Sequence, residues 1–187
     1  METRIQEACE QAAERWSVPA LSVGTDLGGD VVASAVGCDP GTRFRIASVT
    51  KPLTALLALD VLDLEEPTGV WPEDVRVRHL LSHLSGFDCE LAERDLGRFG
   101  DGDGALAAAV AELPSVHRFV GAGEVWSYAN TGYWLAGLLA ANRVDSTYEE
   151  ALAERVLRPL GLDATSFDEP DLDGTGPDAD EGPYPRA

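Results

Sequence analysis

Lysine is almost absent from this chain. Thirteen of its fourteen basic residues are arginine, and the one lysine is Lys51. Arginine keeps its proton inside a protein, whereas a buried lysine can release it, so a position that needs a neutral amine must be lysine. Basic residues of either kind are few: 14 stand against 33 Asp and Glu, a formal net charge of -19. No nucleic-acid partner is expected from such a surface, because phosphates call for cations. No membrane partner is expected either, since an acidic lipid surface repels the same charge. Two readings of the acidity stand side by side. One is a strongly solvated surface; the other is adaptation to high salt, where self-repulsion is screened.

Long apolar runs are also lacking. No eighteen consecutive residues are apolar, so no membrane-spanning helix is expected. Residues 1–16 are charged and lack the basic start and apolar stretch of a secretory signal, which makes the cytoplasm the expected location. The three cysteines, Cys9, Cys38 and Cys89, form no Cys-x-x-Cys pair. That spacing predicts free thiols, not a disulfide framework or a zinc site. No internal repeat is visible.

What is present is a globular composition. The 187 residues are 44% hydrophobic, enough for one domain with a real core. Residues 2–16 read as a helix stopped by Pro19. Ala20 to Thr25 and Val31 to Val36 are β-prone, and Leu27-Gly28-Gly29-Asp30 between them predicts a hairpin. Such a hairpin must pack on helices or on further strands to be stable. Ser48 to Leu64 reads as a helix apolar nearly all round, hence buried. Further helices are expected over 74–83, 105–113, 131–142 and from Ser146 to about Leu157. The last opens on a Ser146-x-x-Glu149 capping box. Residues 98–104 read as a Gly/Asp loop, and 168–187 as an acidic Gly/Pro/Asp-rich tail expected to be disordered. The fold class is α+β, with residues 1–167 as the folded part.

Two segments carry chemistry. In Ser48-Val49-Thr50-Lys51-Pro52, residues three apart share a helix face, so the Ser48 hydroxyl can meet the Lys51 amine. The start of a helix stabilises an oxyanion through its N–H groups and dipole. Serine needs a base to become a nucleophile, and Lys51 is a candidate. The same pattern also suits a serine cap with a lysine nearby. The second segment is Trp126-Ser127-Tyr128-Ala129-Asn130. Tyr128 and Asn130, two apart in an extended stretch, share a side and can move a proton and hold an amide. An aromatic loop packed on the core has the same composition. His79 and His83 are four apart and would suit a metal on one helix face, but the acid of His-Glu-x-x-His is missing, so a structural role is expected. His117 is isolated and receives no role.

Together these segments resemble the serine β-lactamase and penicillin-binding-protein family. Phe44 to Lys51 resembles its Ser-x-x-Lys motif, and Tyr128-Ala129-Asn130 the Tyr-x-Asn motif of its class C branch. The segments Leu62–Pro67, Arg78–Phe87 and Leu157–Phe167 are similar to family segments in the same order. The resemblance implies a β-lactamase/transpeptidase-like fold with an acylated Ser48, and Lys51 and Tyr128 as base. It also implies an Asn130 that orients substrate and Lys51. Substrates would be small amides or esters: β-lactams, D-amino-acid peptides or simple esters. No cofactor and no metal are implied. The family's third motif, Lys/His-Thr/Ser-Gly on a later strand, is not found, and Gly174-Thr175-Gly176 does not replace it. The chain is therefore expected to be C-terminally truncated, a remnant, or one part of a split protein. In the last case a second chain would supply the missing strands.

The high-salt reading has a direct consequence. Thermal unfolding should shift upward with added potassium chloride; a midpoint that stays flat or falls contradicts it.

Overall fold

A computed structural model describes residues 2–87, 96–100, 102, 104–115, 117–168 and 170–172. These form two compact units: residues 2–46 with 168 and 170–172, and the described residues of 47–167.

The first unit is built on the hairpin. β1 (Leu21–Leu27) and β2 (Asp30–Val36) pair antiparallel from Leu21↔Val36 to Leu27↔Asp30. Gly28 and Gly29 take φ of 71° and 98°, the left-handed pair that a two-residue hairpin turn needs. The expected hairpin is thus present, starting at Leu21 rather than Ala20 and reaching Leu27 and Asp30 at the turn. Helix α1 (Glu2–Trp16) lies on it. Cys9, Ala13 and Ser34 are buried there, and the Gln6 amide donates to the Ala35 carbonyl at 3.3 Å. Phe44 forms a parallel bridge with Leu172, and Asp171 accepts from the Arg43 N–H and guanidinium at 2.9 and 3.0 Å. Residues 173–187, most of the expected tail, lie outside the described residues, as do Cys89, Asp101 and Asp103.

The second unit is helical. Its members are α2 (Thr50–Val61), α3 (Val77–Leu81), α4 (Ala105–Ala111), α5 (Asn130–Arg143) and α6 (Tyr148–Leu152), the last continued by a π-turn over Ala153–Leu157. α5 is the spine. Its Leu135 and Ala136 join Trp71, Leu80, Phe87 and Leu113 in one core cluster, and its Ala140 joins Leu57, Ala58, Val77 and Leu152 in another. Trp71 stacks on Phe87 with ring centroids 4.3 Å apart and donates Nε1–H to the Leu113 carbonyl at 3.1 Å. Small residues on α5 admit close neighbours: a Cβ at Gly137 would meet the Tyr148 ring at 3.0 Å.

Three expectations are corrected. The helix read from Ser48 to Leu64 is a 3-10 turn over Ala47–Val49 followed by α2, and it is buried on one side only. Leu57 and Ala58 are fully buried, whereas Leu56 and Leu59 are about half exposed. The helix read over 74–83 shrinks to five residues. Residues 72–75 make a turn closed by Val75 N–H to the Pro72 carbonyl, Arg76 is extended, and His83 turns left-handed at φ 59°. The capping box sits one residue later than read. Thr147 Oγ1 accepts from Glu150 N–H at 3.2 Å, and Glu150 accepts from Thr147 N–H at 3.4 Å.

One loop pairing brings the chain to the site. Residues 83–87 run beside 118–127. Phe87 bridges Arg118, and Gly123 and Ser127 donate N–H to the carbonyls of Leu84 and His83 at 2.8 and 2.9 Å. Asp74, ion-paired with Arg118 and accepting from Ala122 N–H, holds the same loop. Gly86 makes the close approach possible. Its φ is 79°, and a Cβ there would overlap the Val120 carbonyl oxygen. Gly69 has a similar φ of 72° but open space around it.

The two glycines should therefore respond differently to alanine. Gly69→Ala should cost about 1 kcal/mol of backbone strain, and Gly86→Ala about 2 kcal/mol or more because strain and overlap add. Equal urea midpoints for the two variants would contradict this packing.

Candidate active site

Ser48 lies in the turn that leads into α2, preceded by Ala47 at φ 44°. A left-handed alanine is uncommon, and such strain concentrates where a side chain must be aimed. Lys51 stands on the first turn of α2, Asn130 is the first residue of α5, and Tyr128 lies in the segment before it, ahead of the extended Ala129. Two helix starts thus meet at one place.

All four side chains named from the sequence come together. Ser48 Oγ and Tyr128 Oη share a hydrogen bond of 2.6 Å. Lys51 Nζ donates to Ser48 Oγ at 3.1 Å and to Asn130 Oδ1 at 2.6 Å. The Lys51 ammonium also lies 4.7 Å from the Tyr128 ring centroid and 5.8 Å from that of Tyr133, within cation–π range. Ser48 is not a helix cap: position 49 precedes α2 with no side-chain cap, and the hydroxyl is engaged by Tyr128 and Lys51 instead. Nor is Tyr128 core packing, being about half exposed with its hydroxyl on Ser48. The cluster can pass a proton from a hydroxyl to a phenol oxygen or an amine over one hydrogen bond, which nucleophilic acyl transfer requires.

Two further residues frame the cluster. Tyr133 donates Oη–H to the Leu81 carbonyl at 2.8 Å, and burial first, then the neighbouring Tyr128, pushes its phenol above the ordinary value. It therefore keeps its proton and the bond. His83 packs its ring on Tyr128 and Tyr133, with centroids 4.7 and 5.2 Å away. Reading the sequence gave Tyr133 no role and treated His83 only as half of a histidine pair.

The histidines do not share a helix face. His79 is in α3 and accepts Arg76 N–H at Nδ1 (3.1 Å); His83 lies past the helix and accepts Ala129 N–H at Nδ1 (3.1 Å). No cluster of three metal-ligating groups occurs among the described residues. No helix among them is long and apolar enough to cross a membrane.

Comparison with known proteins shows the family and the fold. The family model described as "Beta-lactamase" matches residues 5–183. An uncharacterized protein of Mycobacterium tuberculosis is 26% identical over 187 residues, covering 81% of this chain and 46% of that protein. The D-amino acid amidase of Ochrobactrum anthropi superposes with a TM-score of 0.69 at 28% identity, over 85% of this chain and 51% of the amidase. The octameric penicillin-binding protein homologue of Pyrococcus abyssi gives 0.71 at 28% identity, over 87% and 44%. The chain spans 46% of the Mycobacterium tuberculosis protein and 30–38% of further curated relatives it matches. Its two-stranded sheet and mainly helical region are part of the β-lactamase/transpeptidase-like fold that the sequence led us to expect.

The buried histidine of α3 makes a test of pH dependence. Burial, then the Arg78 charge, holds His79 below its ordinary value of 6.5. The fold favours the neutral ring, so its stabilisation is complete above the unfolded value and is lost as pH falls through the folded one. The His79 ring, followed by NMR, should titrate below 6.5; a midpoint above it contradicts the stated burial.

Proposed function

The chain belongs to the beta-lactamase family, and from that premise we propose that it carries out serine acyl transfer through an acyl-enzyme on Ser48. The observation that supports this most is the short contact of Ser48 Oγ with Tyr128 Oη beside the Lys51 ammonium. In the proposed reaction Ser48 Oγ attacks the carbonyl carbon of an amide or ester. Its proton passes to the Tyr128 oxygen, taken in its phenolate form next to Lys51. The negative charge on the carbonyl oxygen develops at the start of α2, where N–H groups and dipole favour it. The carbon–nitrogen or carbon–oxygen bond then breaks, and the phenol returns the proton to the leaving amine or alcohol. Water attacks the acyl ester by the same proton route, releasing the acid and restoring Ser48.

Each residue has one task in this scheme. Ser48 is the nucleophile. Lys51 and Tyr128 form the base, with Lys51 holding the charge that favours the phenolate. Asn130 fixes Lys51 through Oδ1 and orients the substrate amide. The substrate class follows from the relatives: one similar structure is a D-amino acid amidase and another a penicillin-binding protein homologue.

A second reading is favoured by the open side of α2. Val49, Leu56 and Leu59 are 63%, 47% and 53% exposed, an apolar stripe along the helix that starts at the nucleophile. In that reading the chain is inactive alone and needs a second polypeptide that completes the sheet and the oxyanion site. Light scattering together with labelling separates the two. A monomer labelled at Ser48 supports the first, and an unlabelled chain that labels only in a complex supports the second.

A fluorescent penicillin or a fluorophosphonate should label the wild-type chain. Tyr128→Phe keeps the ring and loses one oxygen, so it should fold normally and label about a hundred- to ten-thousandfold more slowly. Lys51→Arg keeps the charge but should slow labelling comparably, because the longer, planar guanidinium does not take the place of an ammonium bonded to Ser48 Oγ and Asn130 Oδ1. Wild-type rates in both variants would refute the assigned base.

A further inference from the structure

We infer that His83 is a positioning residue that clamps the main chain on both sides of Tyr128, through an imidazole whose Nδ1 must stay unprotonated. The inference rests on the proposed role of Tyr128 at Ser48, although the clamp itself is a matter of geometry.

His83 follows α3 in a left-handed conformation, φ 59°. That conformation costs an L-residue about 1 kcal/mol, so surrounding contacts must hold it. The contacts converge on one target. The His83 carbonyl accepts Ser127 N–H at 2.9 Å, and its Nδ1 accepts Ala129 N–H at 3.1 Å. These are the residues immediately before and after Tyr128. A single histidine therefore brackets the tyrosine, while its ring lies against the Tyr128 ring at 4.7 Å and a tilt of 32°. Trp126 meets the same imidazole edge-on at 5.9 Å, and Tyr133 lies tilted against it at 5.2 Å. Ring contacts and main-chain bonds together set where Tyr128 Oη points.

The donor is a backbone N–H, so Nδ1 must offer a lone pair, and the neutral ring carries its proton on Nε2. The surroundings agree. Among the described residues, Trp126, Tyr128 and Tyr133 pack on the ring, and the Lys51 charge acts on it. Burial first, and the Lys51 charge second, hold the imidazole below its ordinary value. A proton on Nδ1 would remove the acceptor from Ala129 N–H and set a second positive charge near Lys51. Tyr128 would then lose one side of its clamp. Displacement of a catalytic group by about 1 Å can cost about a hundredfold in rate. Acylation of Ser48 should accordingly fall off on the acid side, below the ordinary histidine value.

Two variants separate clamping from filling space. Asparagine tolerates the left-handed conformation and places an oxygen where Nδ1 stands, but it does not titrate. His83→Leu fills space without an acceptor. Labelling of Ser48 should fall about a hundredfold in His83→Leu and be recovered in His83→Asn, with the acid limb gone. A His83→Leu rate equal to wild type, or no recovery by asparagine in a folded variant, would overturn the clamp. A second measurement does not depend on activity. Side-chain nitrogen NMR of the wild-type chain at pH 7.5 should show Nδ1 bare and Nε2 protonated. The Ala129 amide should shift as the His83 ring titrates. A protonated Nδ1 at that pH, or an Ala129 amide indifferent to the titration, would overturn the clamp even if the chain were never labelled. Absence of wild-type labelling with the expected tautomer would count against the proposed function, and for the clamp.

Discussion

The site depends on how closely α2 and α5 pack. Lys51 stands in the first turn of α2 with Ser48 just before it, and Asn130 opens α5 with Tyr128 two residues ahead. Nothing in the local sequence of either segment brings them together. Closeness comes from the small residues of α5: Ala136, Gly137, Ala140 and Ala141 are buried and let neighbouring helices approach. Thr54, one turn beyond Lys51 in α2, reaches Tyr148 Oη at 2.7 Å behind Gly137. At the far end Arg143 bonds the Val61 carbonyl at 3.0 Å and pairs with Glu66. Helix contact, hydroxyl pair and terminal arginine fix the register of α2 against α5, and so fix Lys51 Nζ at 2.6 Å from Asn130 Oδ1.

Register alone would leave Tyr128 free, because it lies in the segment before α5. The loop after α3 supplies what the helices do not. Gly86 lets residues 83–87 lie against 118–127, and His83 carries that constraint forward to the residues beside Tyr128. Two independent supports therefore meet at Ser48 Oγ: helix packing through Lys51 and Asn130, and loop pairing through Tyr128. A cluster built this way would need little rearrangement for the proposed proton transfer.

Much of this was legible in the sequence, for identifiable reasons. The hairpin was readable because Gly-Gly is strong turn chemistry, and α5 because a long segment without proline or interior polar breaks has one good conformation. The four site residues were readable because Lys51 is the only lysine and because the motifs fall in family order. The length of α3 was not. Its pattern continues to His83, but the turn at 72–75 and the left-handed His83 depend on tertiary contacts that no short window contains. The same applies to the half-exposed face of α2, since apolar spacing shows what a helix can bury and not what covers it. A structural role for His83 was expected, but not the one it takes. Its spacing to His79 suggested a pair, while its function as an acceptor for Ala129 is set by a residue 46 positions away.

The central claim is that the contacts around Ser48 Oγ make this hydroxyl, among the serines of the chain, a nucleophile. Tandem mass spectrometry of peptides after brief exposure to a fluorophosphonate tests it most directly. The account predicts one adduct, on Ser48, and none in Ser48→Ala. An unmodified Ser48 peptide, or adducts spread over several serines at similar extent, would contradict it.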